Sequence, residues 1–479
     1  MAAEGLPVGR LREYLRHLPP GTRVLLIAEL ERALLRGDEI PGGDLLLQEV
    51  RSAVREFAGS TGSAGPRFGD AARLFFRPVQ PFLIDGDGGH KLHARIARAA
   101  LKPLWAWICR DLVPDEANSF CNEANSFCNK VGRTLAVDGS AACEESTHAF
   151  HDHIVERIRS ALAAVQGDEK ARRRMAGQIG TPSALDDVRD LAAILSWRDA
   201  LARLQSLLPS RIHNFSDRQI ESVKVLLDSP LCSQRGLLPY ALIVVMNRLA
   251  APWQLVRLAV RAADSDDAVR IGATSYAAAV TITLDEIERM VGELKAGLRR
   301  GASVTSLLKC IHDSARGLRT ELDLAGESAW GRKLAAIRSE IASVLKTEIE
   351  SMPGRVRRLL QPRPAREIAR GAVLNPGEVA ETEALIELVG ACRNFASELA
   401  VNEMTLRTFH ELQLYLDTGT QALLDGLRGA GPADRPFRRS QVDAAVRFCG
   451  KVFGQEYASL LTKAAEVATN SERKVGVKA

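Results

Sequence analysis

The chain has 479 residues, of which 46% are hydrophobic and 26% are charged, and these fractions are typical of a folded globular protein. Its 64 basic and 59 acidic residues are interspersed and leave a net charge of only +5, which argues against a general nucleic-acid-binding surface. A chain of this length exceeds the size of one hydrophobic core, and we therefore expect two to four domains.

The sequence also indicates a compartment. The N-terminal segment 1–21 is charged and lacks the uninterrupted apolar stretch of a signal peptide. The longest apolar run, 237–246, contains a proline and is half as long as the roughly 20 residues that cross a bilayer. The eight cysteines form no CxxC pair, which favours free thiols. We predict a cytoplasmic protein, and its excess of Arg over Lys favours a bacterial origin.

Apolar residues recur at helical spacing along nearly the whole chain, whereas alternating β-branched runs are scarce. The pattern predicts an all-α protein of several helical bundles or stacked helical hairpins, joined by Gly/Ser-rich and Arg/Pro-rich linkers. The predicted segments are an N-terminal helical unit (1–58), an aromatic- and histidine-containing region (70–180), a hairpin or bundle domain (181–350), a basic Pro/Arg linker (351–371), a C-terminal bundle (372–470) and a frayed tail (471–479).

The first half of the chain contains two features that help to place its helices. After the Gly/Ser-rich linker 59–69, a helix over 89–112 is predicted to mix cations with apolar residues and with Trp105 and Trp107, as membrane-interface helices do. The heptapeptide EANSFCN then occurs twice, at 116–122 and 123–129. Seven residues make nearly two helical turns, so we expect both copies on one helix with their faces preserved.

A stripe of carboxylates and imidazoles follows the repeat. On a helix these side chains occupy positions i, i+4, i+7 and i+8, and imidazole and carboxylate groups are ligands that suit Zn²⁺ or non-haem iron. The candidate metal ligands are Glu144, His148, His151 and Asp152, with His90 and His93 the nearest further imidazoles in sequence. The alternative is a solvated polar face, because the spacing matches neither HExxH nor the paired ExxH of di-iron bundles.

Helices in the second half are clearly delimited in the sequence. We predict a helix over 184–208, a buried central helix over 237–249 that is apolar on nearly every face, and three amphipathic helices within 281–350. Asn375, Pro376 and Glu378 form a strong start for a further helix. The C-terminal bundle is predicted to contain helices at 378–400, 402–426 and 438–468.

The basic linker is rich in arginine and proline. Guanidinium groups bind phosphates in bidentate fashion, which makes this segment a candidate polyanion contact; a solvated linker is the alternative. The arginines concerned are Arg355, Arg357, Arg358, Arg363, Arg366 and Arg370.

Recognised nucleotide-binding and hydrolase motifs are missing from the sequence. It contains no GxxxxGK[ST], no GxSxG elbow and no GxGxxG after a strand. Asp85 and Asp87 match the first two ligand positions of a calcium loop, but Ile96 stands where the bidentate glutamate is required. We therefore predict no cofactor and no catalytic residues.

Amphipathic helices, linkers and the lack of a catalytic motif favour a helical interaction protein, acting as a scaffold, adaptor or regulatory subunit, over an enzyme. We expect a protein partner or self-association, with the contact near apolar stripes at 284–298 or 378–426. The first alternative is a peripheral membrane- or polyanion-binding protein. The second is a metal-dependent enzyme that uses the stripe from Glu144 to His153. Nucleic acid is not an expected partner, and whether the protein has a small-molecule substrate is not indicated by the sequence.

Overall fold

The protein is helical throughout the part that the computed structural model describes, and the all-α prediction is confirmed. The described residues are 26, 30, 46, 70–85, 91–131, 138–181, 183–232, 234, 236–299, 304–399 and 401–470. Two short parallel strands, β1 (Leu83–Ile84) and β2 (Ile96–Ala97), occur in these ranges, in which Leu83 pairs with Ile96, and an isolated β-bridge joins Ile212 to Leu249.

The chain divides into two units, residues 1–285 and 286–479. The first unit contains α-helices of 5 to 27 residues, of which α9 is the central one. Its described α-helices are α1 (Asp70–Phe75), α2 (Leu101–Trp107), α3 (Pro114–Val131), α4 (Asp138–Ala164), α5 (Glu169–Ile179), α6 (Ala184–Ser196), α7 (Arg198–Leu207), α8 (Asp217–Asp228), α9 (Leu238–Arg248), α10 (Val256–Ala263) and α11 (Ala268–Gly272). The division between the units falls within α12 (Ala277–Arg299).

The second unit is built from helices of 16 to 32 residues that pack side by side. They are α13 (Thr305–Glu321), α14 (Ala329–Leu360), α15 (Pro376–Leu399), α16 (Asn402–Arg428), α17 (Arg435–Phe453) and α18 (Gln455–Asn470). Helix α15 contacts α13, α14, α16 and α17, while α18 lies against α16 and α17. Neighbouring helices thus bury one another's apolar stripes, which is what stabilises a helical bundle.

The central helix α9 is buried as predicted. Every side chain from Tyr240 to Met246 is buried, because this helix is apolar on nearly every face. Its 11 residues are about half of what a bilayer crossing requires. More generally, none of the helices in the described ranges combines the length and apolarity needed to cross a membrane.

The predicted helix over 89–112 is wrong in its first half. Residues 96–97 form β2, residues 98–100 form a 3-10 turn, and the α-helix begins only at Leu101. Ala94 has a φ of 54°, which a right-handed helix does not allow. Pro103 lies in the first turn of α2. Backbone N–H groups in the first turn have no acceptor within the helix, so a proline at this position removes no helical hydrogen bond and is tolerated. The helix therefore starts close to this proline instead of passing through it.

Two predicted single helices are each divided in the structure. Residues 184–208 form α6 and α7, separated at Trp197, whose indole contacts the Tyr240 ring. Residues 438–468 are divided between α17 and α18 at Gly454, whose φ of 95° lies in the left-handed region. The apolar spacing continues across both breaks, so the sequence period alone did not show them.

The predicted linker over 351–371 is also wrong in its first ten residues, because α14 continues to Leu360 through Pro353. A proline inside a helix costs about 3 kcal/mol. Met352, Val356 and Leu359 are all buried, and burial of each such side chain contributes roughly 1.5–3 kcal/mol, which outweighs that cost. Non-helical chain begins at Gln361 and contains one 3-10 turn, Ala365–Glu367. The other segment bounds stay predictions.

The tandem repeat lies within the single helix α3, as its seven-residue length indicates. Phe120 of the first copy is buried and stacks on Phe150 of α4, with ring centroids 4.4 Å apart. The ring of Trp105 lies beside Phe120 and Phe75, and Trp107 is buried. These aromatic side chains therefore form part of the core of the first unit.

A buried ion cluster joins three parts of the first unit. The Nζ atom of Lys91 lies 2.6 Å from Oδ1 of Asp187 and 2.7 Å from Oδ2 of Asp190, both on α6. Asp187, which is 1% exposed, also accepts a 2.6 Å hydrogen bond from Ser183, and Asp190 accepts one from the Tyr240 hydroxyl of α9. Burial raises the pKa of Asp190, an effect that the nearby ammonium group opposes. The segment that precedes β2 is thereby attached to α6 and α9.

Replacement of Lys91 by Met tests this cluster. We expect the variant to lose roughly 3–5 kcal/mol of unfolding free energy at neutral pH, because two buried carboxylates lose their cation. The loss shrinks at lower pH, because removal of the ammonium group leaves burial to raise the pKa of the Asp190 carboxyl further, and the folded variant then takes up a proton there. Urea unfolding followed by tryptophan fluorescence at pH 7.5 and pH 5 measures both effects. Lys170→Met, at an exposed position of α5, is the matched control. Equal stability of Lys91→Met and Lys170→Met would contradict the role of the cluster.

Candidate functional site

The histidine–carboxylate stripe lies on α4, and its most buried member is His151, which is 1% exposed. Its Nε2 atom is 2.8 Å from the carbonyl oxygen of Phe75, and its ring lies against the Phe75 ring at 5.0 Å. A carbonyl oxygen only accepts, so Nε2 carries the proton and donates it. Burial lowers the pKa of His151 to about 4, which keeps the imidazole neutral at physiological pH.

The other predicted metal ligands have separate partners. Glu144 is exposed and lies 3.8 Å from Arg77, while Asp152 forms a two-point ion pair with Arg198 at 2.5 and 3.2 Å. That hydrogen-bonded pair lowers the pKa of the Asp152 carboxyl. His148 is exposed, and its ring centroid lies 6.3 Å from that of His151. The four side chains therefore point to different neighbours instead of one shared point.

The additional imidazoles do not complete a ligand set either. His93 is exposed, and its backbone N–H donates to the buried carboxylate of Asp285 at 2.7 Å. His90 lies outside the described residues. Within the ranges that the structure describes, no group of three or more His, Cys, Asp or Glu side chains is placed to hold a metal ion.

Cys121 of the tandem repeat has a partner that its sequence spacing did not indicate. It forms a hydrogen bond with Cys109, which lies on the π-helical turn Ile108–Leu112. Burial, together with the neighbouring Cys121 thiol, raises the pKa of Cys109 to about 12. Burial also raises the pKa of Cys121. Both thiols are protonated at neutral pH, so neither is an activated nucleophile.

The predicted polyanion-binding arginines occupy two different environments in the second unit. Three lie on α14 close to carboxylates: Arg355 is 3.9 Å from Glu348, Arg357 pairs with Glu411, and Arg358 is 3.6 Å from Glu378. The other three, Arg363, Arg366 and Arg370, are exposed on the segment between α14 and α15. The structure therefore does not form one continuous cationic surface from all six.

Two of these arginines border a cavity of about 310 Å³. Arg358 and Arg363 line it together with the apolar side chains of Leu359, Leu374 and Phe437. The guanidinium group of Arg363 lies over the Phe437 ring, 5.3 Å from its centroid. This concave site, formed by the end of α14, the following segment and α17, is the one place where the predicted arginines converge.

The apolar stripes named as contact surfaces differ in exposure. Leu284, Ile287, Val291 and Leu294 of α12 are all buried, so the expectation of an exposed contact near 284–298 is wrong. These side chains are buried within the protein itself and are not accessible to a partner. On α16, Leu406 and Leu414 are exposed.

Sequence reasoning did not single out the terminal helix α18. Leu460 and Val467 are about two-thirds exposed there, although Leu461 and Ala468 of the same helix are buried. The signal was present in the sequence: α18 carries apolar residues over a wider sector than one packed face requires.

No model of a known protein family matches this chain, and no curated protein or solved structure matches it. The contacts, burial and charges of its own residues are therefore the basis for a functional proposal.

The buried imidazole allows a pH test. The folded-state pKa of His151 is about 4, below its value of about 6.5 in an unfolded chain, so the unfolded state binds more protons between these values. The stabilisation of the folded state by the neutral, buried His151 imidazole is present above pH 6.5 and is lost as pH falls towards 4. We expect the difference in unfolding free energy between wild type and His151→Gln to decrease by about 3 kcal/mol from pH 7 to pH 4.

Urea titrations at several pH values measure this decrease. His148→Gln, which removes an exposed imidazole from the same helix, is the matched control. A stability difference for His151→Gln that stays constant across this pH range would show that the imidazole is not buried in the neutral form.

Proposed function

We propose that this chain is a helical interaction protein, acting as a scaffold, adaptor or regulatory subunit, and that it associates with a second copy of itself through α18. The observation that carries the proposal is the outer stripe of this helix. Leu460 is 66% exposed and Val467 is 65% exposed, and seven residues, nearly two helical turns, separate them. Ala464 lies between them on the same face, and Tyr457 precedes them at the same 3-4-3 spacing.

This spacing is suited to packing against another helix. Side chains that repeat as 457, 460, 464 and 467 form the narrow seam through which two helices contact each other. The buried side chains at 461, 465 and 468 already attach α18 to its own bundle. The outer seam is therefore not needed to hold α18 in the second unit. Its burial against a second helix would contribute roughly 1.5–3 kcal/mol to the free energy of association for each large apolar side chain.

The charges that flank the seam favour a second copy as the partner. Glu456 and Lys463 are both exposed and lie seven residues apart along one flank. When two α18 helices pack antiparallel about a two-fold axis, the flank of each copy that carries Glu456 and Lys463 meets the same flank of the other copy, so that opposite charges face each other across the contact. The same surface is thus complementary to itself, as a two-fold symmetric contact requires.

The substitution of Leu460 and Val467 by Asp tests the seam. We expect wild-type protein to form a dimer in a concentration-dependent manner. The double variant should weaken the dimer at least about 100-fold, because charges replace the apolar contact in both copies. Size-exclusion chromatography with light scattering, together with sedimentation velocity, measures the change.

Two controls make the test specific to α18. Leu406→Asp with Leu414→Asp introduces the same charges at positions of α16 that are 50% and 55% exposed, and should leave the dimer intact. Lys463→Glu should weaken the dimer, and a further Glu456→Lys should restore it, because the pair is then reversed. A wild-type chain that remains monomeric at every concentration overturns the proposal, even if it captures another protein. A dimer unaffected by the Leu460 and Val467 substitutions overturns the assignment to α18.

A further inference from the structure

A second feature of the helical bundle is independent of the α18 seam. The cavity beside Arg358 and Arg363 has a volume of about 310 Å³, at the lower end of the roughly 300–1,000 Å³ found for ligand pockets. Leu359, Leu374 and Phe437 are buried and supply its apolar wall. The two exposed arginines supply positive charge at its edge. The lining therefore combines three buried apolar side chains with exposed cationic groups on one side.

Hydrogen bonds from α17 hold the walls of this cavity in place. The Gln441 side chain, which is buried, donates from Nε2 to the carbonyl oxygens of Leu359 at 2.9 Å and Gln361 at 3.0 Å. The Arg363 carbonyl oxygen accepts a hydrogen bond of 3.2 Å from Arg438. On the other side, the Leu374 N–H donates to the Ser440 hydroxyl at 3.0 Å. A site with walls already fixed loses little conformational entropy when a ligand binds.

The positions of the two guanidinium groups favour an anion. Arg358 Nη2 lies 3.6 Å from Oε2 of Glu378, which is longer than a hydrogen bond, so this carboxylate attracts the group without occupying its donors. The flat guanidinium group of Arg363 rests over the Phe437 ring, which leaves its N–H edges available to a neighbouring group. Two positive charges and one negative charge therefore surround the cavity.

We propose that this cavity binds a small organic anion, in which one phosphate or carboxylate group is attached to a compact apolar body. The anionic group lies between Arg358 and Arg363, whose planar forks match the oxygen geometry of both acids. The apolar body lies against Leu359, Leu374 and Phe437. Glu378 selects against ligands with a second negative charge on its side of the cavity, because two anions would then face each other.

The test uses the full-length protein and three probes: phenyl phosphate, inorganic phosphate and phenol. Isothermal titration calorimetry at low ionic strength measures their affinities, and benzoate then distinguishes carboxylate from phosphate recognition. We expect phenyl phosphate to bind at least about tenfold more tightly than inorganic phosphate or phenol, because only phenyl phosphate uses both parts of the site. Arg358→Ala and Arg363→Ala should each weaken its binding roughly tenfold or more, since each removes charged hydrogen bonds.

Two further variants separate this site from general attraction to a basic surface. Arg366→Ala removes an exposed arginine of the same segment that does not line the cavity, and should leave affinity unchanged. Glu378→Gln should increase affinity, because it removes the one negative charge from the cavity. The unfolding curve of each variant is compared with that of wild type, and only variants with wild-type stability are interpreted.

Three results would overturn the proposal. One is that neither phenyl phosphate nor benzoate binds at low ionic strength. Another is that phenyl phosphate binds with an affinity that does not change in Arg358→Ala and Arg363→Ala. The third is that inorganic phosphate binds as tightly as phenyl phosphate, which would exclude a role for the apolar wall. None of these results depends on the oligomeric state, so the outcome is separate from that of the α18 proposal.

Discussion

The contact between the Lys91 ammonium group and two carboxylates of α6 is the constraint on which the first unit most depends. Asp187 is almost fully buried, and a buried carboxylate without a cation is costly by several kcal/mol. Because the cation comes from the segment before β2 and Asp190 also accepts a hydrogen bond from α9, three separate parts of the chain have to meet at this point. The apolar helices supply most of the folding free energy, whereas these charges help to specify which arrangement they adopt.

The sequence was sufficient for the helical class and for the burial of α9, because both follow from apolar spacing that is local to each helix. It was not sufficient for the places where helices end. Gly454 ends α17 with a positive φ, yet apolar residues continue at helical spacing beyond it. Pro353 shows the opposite case: a residue that normally ends a helix is retained inside α14 because its neighbours are buried. Both outcomes depend on packing between segments distant in sequence, which periodicity does not describe.

The candidate sites, like the fold, could be predicted from the sequence only in part. His151 was identified by its residue type, but its spacing relative to Ile154 and Ile158 placed it on the buried stripe of α4, and that spacing was the better indicator of its role. The arginines after Met352 were recognised as a group, whereas only Arg358 and Arg363 border the cavity. Their selection depends on Phe437, which lies far away in sequence. A list of charged residues shows which groups are present, and the fold decides which of them face the same space.

The two binding modes proposed for the second unit are expected to respond differently to ionic strength. Attraction of an anion to two guanidinium groups at the edge of a cavity is screened by salt, since the Debye length falls from about 10 Å at 0.1 M to about 3 Å at 1 M. The α18 seam is apolar, and exposed pairs such as Glu456 with Lys463 contribute only about 0–1 kcal/mol each. Salts excluded from apolar surfaces strengthen such a contact. The proposed association through Leu460 and Val467 is therefore expected to persist at salt concentrations that weaken the proposed binding at Arg358 and Arg363, because the first depends on removing apolar surface from water and the second on charge.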